Sequence, residues 1–186
     1  MMEIMPNSHP IFVHFTVALV STATLFALLA YGCSRLWVNF PLFKDWETVS
    51  KWSLWLAGLM TLFTVSAGLH AFNTVDHDAI SHAAMTIHRN WALPTSLAVI
   101  LLAMWAGWRS YRQNLLSFSF ILALAIVEGL VLTTAWYGAE LVFRYGLGVE
   151  SLPKTEAIGH AHQPTSPSHN QDNNDSNGQM KKVHSH

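Results

Sequence analysis

Charge is scarce in this sequence: Asp, Glu, Lys and Arg together make up 11% of 186 residues, and the formal net charge is -1. No long basic run exists, so the electrostatic footprint that nucleic-acid binding requires is absent. Cysteine is scarcer still. Cys33 stands alone, which excludes an internal disulfide, a thiolate zinc site, an iron–sulfur cluster and covalent haem attachment through C-x-x-C-H. The chain also has no G-x-S-x-G and no H-E-x-x-H from which a hydrolase could be built. Metal or redox chemistry must therefore come from His, Met or carboxylates.

What is present in excess is apolar surface, at 51% of residues, too much for an ordinary soluble domain of this size. It is concentrated before residue 150. Four apolar runs, Ile11 to Ala30, Trp52 to Ala71, Trp91 to Trp108 and Leu115 to Tyr137, each have the roughly 20 residues that a helix needs to cross a hydrocarbon core. The first run has no basic segment before it and no small-residue cleavage site, so it reads as a retained helix, not a signal peptide. The expected fold is all-α: a four-helix transmembrane bundle over residues 1–150 in contact with the lipid bilayer, followed by a disordered His-rich tail over residues 151–186. That tail is dominated by Pro, Ser, Asn, Gln and His, which bury too little apolar surface to offset the entropy of ordering.

Tryptophans mark the edges of the spans. Trp37, Trp46, Trp52, Trp55, Trp105 and Trp108 belong to one face, and Trp91 and Trp136 to the other, as in the aromatic belts of membrane proteins. Four spans put both termini on the same side. The connections 31–51 and 109–114 carry Arg35, Lys44, Lys51, Arg109 and Arg112, against Arg89, Arg144 and the more distant Lys154 on the terminal side. The positive-inside rule then predicts cytoplasmic connections, with both termini and the 72–82 loop on the periplasmic side of a bacterial inner membrane.

Placed on this topology, His9, His14, His70, His77, His82 and His88 all fall at the terminal face, and the other five histidines lie in the tail on the same side. Neutral imidazole is the commonest nitrogen ligand for haem iron, copper and zinc, and bundle sites draw such ligands from separate helices. His9 and His14 are five apart and His82 and His88 six apart, so neither pair stacks on one helix face at i, i+4. The depth of His14 and His88 makes them the expected ligand pair for a cofactor or metal, with His9, His82 and His70 as further candidates. For any one of these, an interfacial histidine capping a loop is an equally good reading, and His77 beside Asp76 and Asp78 fits a loop role better.

Carboxylates add a second signal. Glu128 lies near the middle of the fourth span, where an ionised side chain is expensive and is turned inward, paired or protonated. The plain structural alternative is a neutral carboxyl hydrogen-bonded to Ser66 or Thr64 of the second helix. Glu140 and Arg144 have the i, i+4 spacing of an ion pair, and Glu140 could also orient a ligating imidazole. Gly138, Gly146 and Gly148 allow close packing or a turn into the tail.

These residues resemble the domain of unknown function 2231 family of small four-helix bacterial membrane proteins. The resemblance is carried by His9-Pro10 with Val13-His14-Phe15, Asn73-Thr74-Val75 through His77-Asp78, the run from Ser81 to Thr86, His88-Arg89-Asn90-Trp91, and the run from Gly138 to Gly146. It spans residues 8 to 149. Tyr145 departs from the histidine expected at that position, so a ligand there would be missing in this chain. The resemblance implies the four-helix membrane fold, places Arg89, Glu140 and Arg144 among its motif residues, and supplies no activity.

Three functions follow from the residues. One is a redox protein with b-type haem near the periplasmic face, passing electrons between quinone and a periplasmic redox protein. Another is a copper- or zinc-handling protein that uses the tail histidines. The last is an accessory subunit of a membrane complex, or a homo-oligomer, that holds no cofactor.

Overall fold

The structure, a computed structural model, describes residues 8–36, 41–75, 78–112 and 116–149. The tail histidines and His77 lie outside the described residues. The described residues form four helices: α1 (His9–Leu36), α2 (Phe43–Thr74), α3 (Ala79–Tyr111) and α4 (Phe118–Phe143). All four are long and apolar enough to cross a membrane.

Each helix is longer than the apolar run that signalled it, because the bilayer limits only the apolar stretch. Helices of 26 to 33 residues rise about 40 to 50 Å at 1.5 Å per residue, more than the hydrocarbon core. The surplus turns carry the polar ends. The expected connection 31–51 therefore contracts to residues 37–42, with Arg35 in the last turn of α1 and Lys44 and Lys51 on α2, and the 72–82 loop contracts to residues 75–78. In the last of these, Asp78 caps α3 by accepting from the Ser81 backbone N–H at 2.8 Å, while the Ser81 hydroxyl accepts from the Asp78 N–H at 3.1 Å. This capping box answers two orphan donors at the helix start. The cap lies outside the spans, and hydrogen bonds from the Ser81 hydroxyl and then the Ser81 backbone hold the Asp78 carboxyl below its ordinary value. At the other limit of the domain, Gly146 at φ 63° lets the chain turn after α4, with the Leu147 N–H returning to the Leu141 carbonyl.

Sequential helices pack against one another and α4 closes onto α1. Short connections make neighbours antiparallel, so α1 and α3 run in the same direction on opposite corners, as do α2 and α4. The core is built of small and branched residues, among them Val20, Ala23, Ala27, Ala57, Val99 and Ala106, while Leu25, Leu29, Leu62, Leu101, Met104 and Leu132 point outward. This is the arrangement lipid favours. With no hydrophobic drive between helices, association comes from close packing of small residues and from interhelical hydrogen bonds. Ser50 of α2 supplies one such bond to the Ala23 carbonyl of α1 at 2.8 Å.

The two hairpins repeat one register. Buried Thr16, Val20, Ala23 and Ala27 on α1 have the same spacing as buried Thr95, Val99, Leu102 and Ala106 on α3; Ser50, Leu54, Ala57 and Thr61 on α2 match Phe120, Leu124, Val127 and Val131 on α4. The α1–α2 and α3–α4 units are thus related like parallel repeats about the bundle axis.

At the end away from the histidines, cations lie over aromatic rings: Arg35 over Tyr31, Lys51 over Trp55, Arg109 over Trp105 and Arg112 over Trp108, at 5.2 to 5.8 Å from the ring centres. Long basic side chains reaching from a helix end to an aromatic belt define a membrane edge.

Candidate functional site

The repeat generates a matched pair of histidine cradles. His9 precedes Thr16 by seven residues on α1, and His88 precedes Thr95 by seven on α3. Two helical turns put each His and Thr on one inward face. The partner helices carry a Thr and a Gly four apart, Thr64 and Gly68 on α2 and Thr134 and Gly138 on α4. Thr16 and Thr64 share a hydroxyl hydrogen bond of 2.9 Å, and Thr95 and Thr134 share one of 3.0 Å.

The glycines make room for the rings. A Cβ at Gly68 would lie 2.8 Å from His9 Cε1, and one at Gly138 would lie 3.2 Å from His88 Cε1. His9 Nδ1 lies 3.0 Å from the Thr64 carbonyl. A carbonyl can only accept, so this bond puts the proton on Nδ1 and the acceptor lone pair on Nε2. In the other cradle the Thr134 backbone stands in the corresponding place beside the buried His88 Nδ1. From their diagonal helices the two rings converge, with centroids 6.4 Å apart and planes at 72°.

The ring that meets His88 is that of His9, and His14, the other half of the expected pair, stands apart. Five residues rotate a helix by about 140°, so when His9 faces inward His14 faces out; His14 is exposed, its Nδ1 bonded to the Pro10 carbonyl of its own helix. His70 is also exposed, near the end of α2. His82 and Arg89 meet through Phe72: the His82 ring lies 5.6 Å from the Phe72 ring and the Arg89 guanidinium 4.7 Å above it. Glu140 forms its ion pair with Arg144. Among the described residues, no group of three or more His, Cys, Asp or Glu comes together as a metal site.

Glu128 is turned inward as its sequence position suggests, but its partner differs from the expected Ser66 or Thr64. Ser21 of α1 donates to Glu128 Oε1 at 2.7 Å, whereas Ser66 and Thr64 donate to the carbonyls of their own helix, Leu62 and Met60. The seam beside α4 is with α1, and α2 lies across the bundle.

Between the start of α3 and the end of α4 lies a groove of about 500 Å³ lined by Ala83, Ile87, Tyr137, Glu140, Leu141 and Tyr145, among others. Ile87 and Tyr137 are the chain neighbours of His88 and Gly138. Sequence reasoning missed this groove, the acceptor role of Thr64, and Ser21 as the partner of Glu128. The recurrence of H-x6-T and T-x3-G in the two halves was the signal that could have singled out His9 and Thr64.

No curated relative and no solved structure matches the chain. The family model described as a predicted membrane protein, domain of unknown function 2231, matches residues 6–151, the stretch that forms the four helices and both cradles, and the chain belongs to that family.

Proposed function

We propose that the protein is a membrane-embedded redox carrier that holds one b-type haem between His9 and His88. The observation that carries this reading is the convergence of two imidazoles from diagonal helices, 6.4 Å between ring centres. His9 and His88 would be the two side chains that hold the iron, one from each hairpin. The donor set fits the group. One ring has its Nδ1 proton anchored on a backbone carbonyl, as ligating histidines do, and the Thr134 backbone stands in the same place beside the other.

Iron held there would supply one-electron chemistry, ferric to ferrous and back. The chain's own contribution is orientation. Thr64 fixes the His9 tautomer, Gly68 and Gly138 admit the rings, and the hydroxyl pairs Thr16–Thr64 and Thr95–Thr134 lock the four helices that carry them. The apolar groove between α3 and α4 offers a quinone a resting place against Tyr137. The excess of Lys and Arg at the opposite end supports a cytoplasmic placement of that end in a bacterial inner membrane, which gives the histidine end to the periplasm and to a soluble redox partner there.

The test is a dithionite-reduced minus air-oxidised spectrum of the purified protein, with metal analysis of the same sample. Sharp α and Soret bands are expected, reduced more than tenfold in His9→Ala and in His88→Ala and retained in His14→Ala. Bands that survive both of the first two changes sink the pairing. A flat spectrum after expression with ample haem sinks the haem reading, and bound copper or zinc in that sample transfers the same two histidines to metal handling.

A further inference from the structure

The two arginines at the histidine end are held differently. Arg144 is paired with Glu140 on its own helix. Arg89 forms no ion pair and donates no hydrogen bond among the described residues; its guanidinium lies 4.7 Å from the centre of the Phe72 ring on α2. The ring steadies the charge, but it offers no oxygen to the five N–H donors of the guanidinium fork. A half-buried cation of this kind calls for an anion that the described residues do not supply.

Its depth says which anion is at hand. Arg89 and Arg109 are twenty residues apart on α3, about 30 Å of helix rise, which is the thickness of a hydrocarbon core. Arg109 lies over Trp105 at one membrane edge, so Arg89 stands at the other. The neighbours agree. On α3 the exposed His82 lies on the outer side of Arg89 and the exposed Leu93 one turn deeper; on α2 the exposed Asn73 and Leu69 flank Phe72 in the same order. On both helices a polar side chain gives way to leucine at the level of Arg89 and Phe72, where headgroups meet acyl chains. The His82 ring approaches Phe72 as well, at 5.6 Å between centres, and the Asp78 carboxyl, one turn before His82, accepts from the Ser81 backbone in the helix cap.

We propose that Arg89, Phe72 and His82 form a binding site for the phosphodiester of an anionic phospholipid in the histidine-side leaflet. The phosphate oxygens accept from the guanidinium fork, the strong bidentate arrangement for such an anion, and Phe72 keeps the guanidinium at headgroup depth. His82, seven residues earlier on α3 and so about 10 Å nearer the water, meets the polar part of the headgroup, while Leu69 and Leu93 lie against the acyl chains. A headgroup without an ammonium leaves the phosphate charge wholly to Arg89. The site draws on no residue of the histidine cradles, so it stands apart from the haem reading.

The experiment is native mass spectrometry of the delipidated full chain in detergent, with phosphatidylglycerol, phosphatidylcholine or inorganic phosphate added, for the unaltered protein, Arg89→Gln, Arg89→Met and Arg144→Gln. Phosphatidylglycerol adducts are expected to exceed those of phosphatidylcholine, with an apparent affinity that falls about tenfold in Arg89→Gln, the weight of one hydrogen bond to a charged group, and holds in Arg144→Gln. Methionine is flexible enough to pack on Phe72, so Arg89→Met carries the test where glutamine fails to fold. Equal phosphatidylglycerol binding with and without Arg89, an equal loss in Arg144→Gln, or no preference over phosphatidylcholine overturns the proposal. Arg89-dependent adducts of inorganic phosphate that exclude the lipid overturn the lipid source.

Discussion

The α1–α2 and α3–α4 hairpins are built on one plan and finished differently. Both place a histidine against a glycine and lock it with a threonine pair two turns deeper. In the first hairpin the imidazole is hydrogen-bonded to the Thr64 carbonyl, and the seam to the other hairpin closes on Gly58. In the second, the Thr134 backbone stands beside the His88 imidazole and the seam holds a carboxyl. The shared plan serves convergence of the two rings. The difference lies at the seams, where one hairpin offers a glycine and the other a carboxyl.

The glycines offer the strongest way to break the equivalence. Alanine at Gly68 would meet the His9 ring at 2.8 Å, and alanine at Gly138 would meet His88 at 3.2 Å. Overpacking of the first kind costs about 1 to 3 kcal/mol, so Gly68→Ala should lower stability in detergent unfolding by that order and Gly138→Ala by clearly less. Equal losses would show that the two cradles are equally tight. The threonine pairs should respond alike and more weakly: Thr16→Val and Thr95→Val each remove one interhelical hydroxyl bond, worth about 0.6 kcal/mol in a bilayer protein. A large difference between the two, measured by the same unfolding, would mean that one hairpin carries the bundle.

The smallest effect belongs to the start of α3. Because the Asp78 carboxyl is held below its ordinary value by Ser81, its folded value is lower than its unfolded one, and the stabilisation is present above the unfolded value. It is lost as pH falls through the folded value. Amide hydrogen exchange at residues 80–82 should therefore quicken at acid pH, after correction for the intrinsic rate, and Asp78→Ala should show the quicker exchange already at neutral pH. Exchange that ignores both changes would remove the cap from the account of where α3 begins.

The fold was legible in the sequence because bilayer thickness imposes a length that apolar runs must meet, and the four runs meet it. Their ends were not legible, since turns such as Phe43 to Lys51 and Ala79 to Asn90 are helical through packing and capping while carrying polar residues that hydropathy counts against them. At the site, the gathering of histidines at one end could be read from topology alone. Which of them meet depends on helix rotation. His14 lost to His9 because only one of two histidines five apart can face the axis, and Thr16, on the His9 face, was the residue that recorded the choice. Glu128 was identifiable from the cost of a carboxyl at that depth, but Ser21 was not, because the order of helices around the axis selects the partner.

His9 and His88 belong to different hairpins, so neither hairpin alone contains the pair. Anything that bridges the two rings binds the docked hairpins and not the separated ones, and by mass action it stabilises docking by RT ln(1 + [L]/Kd). Occupancy then becomes a gauge of assembly: two half-chains divided within residues 75–78 and co-expressed would regain the bridging ligand only to the extent that they find each other in the bilayer.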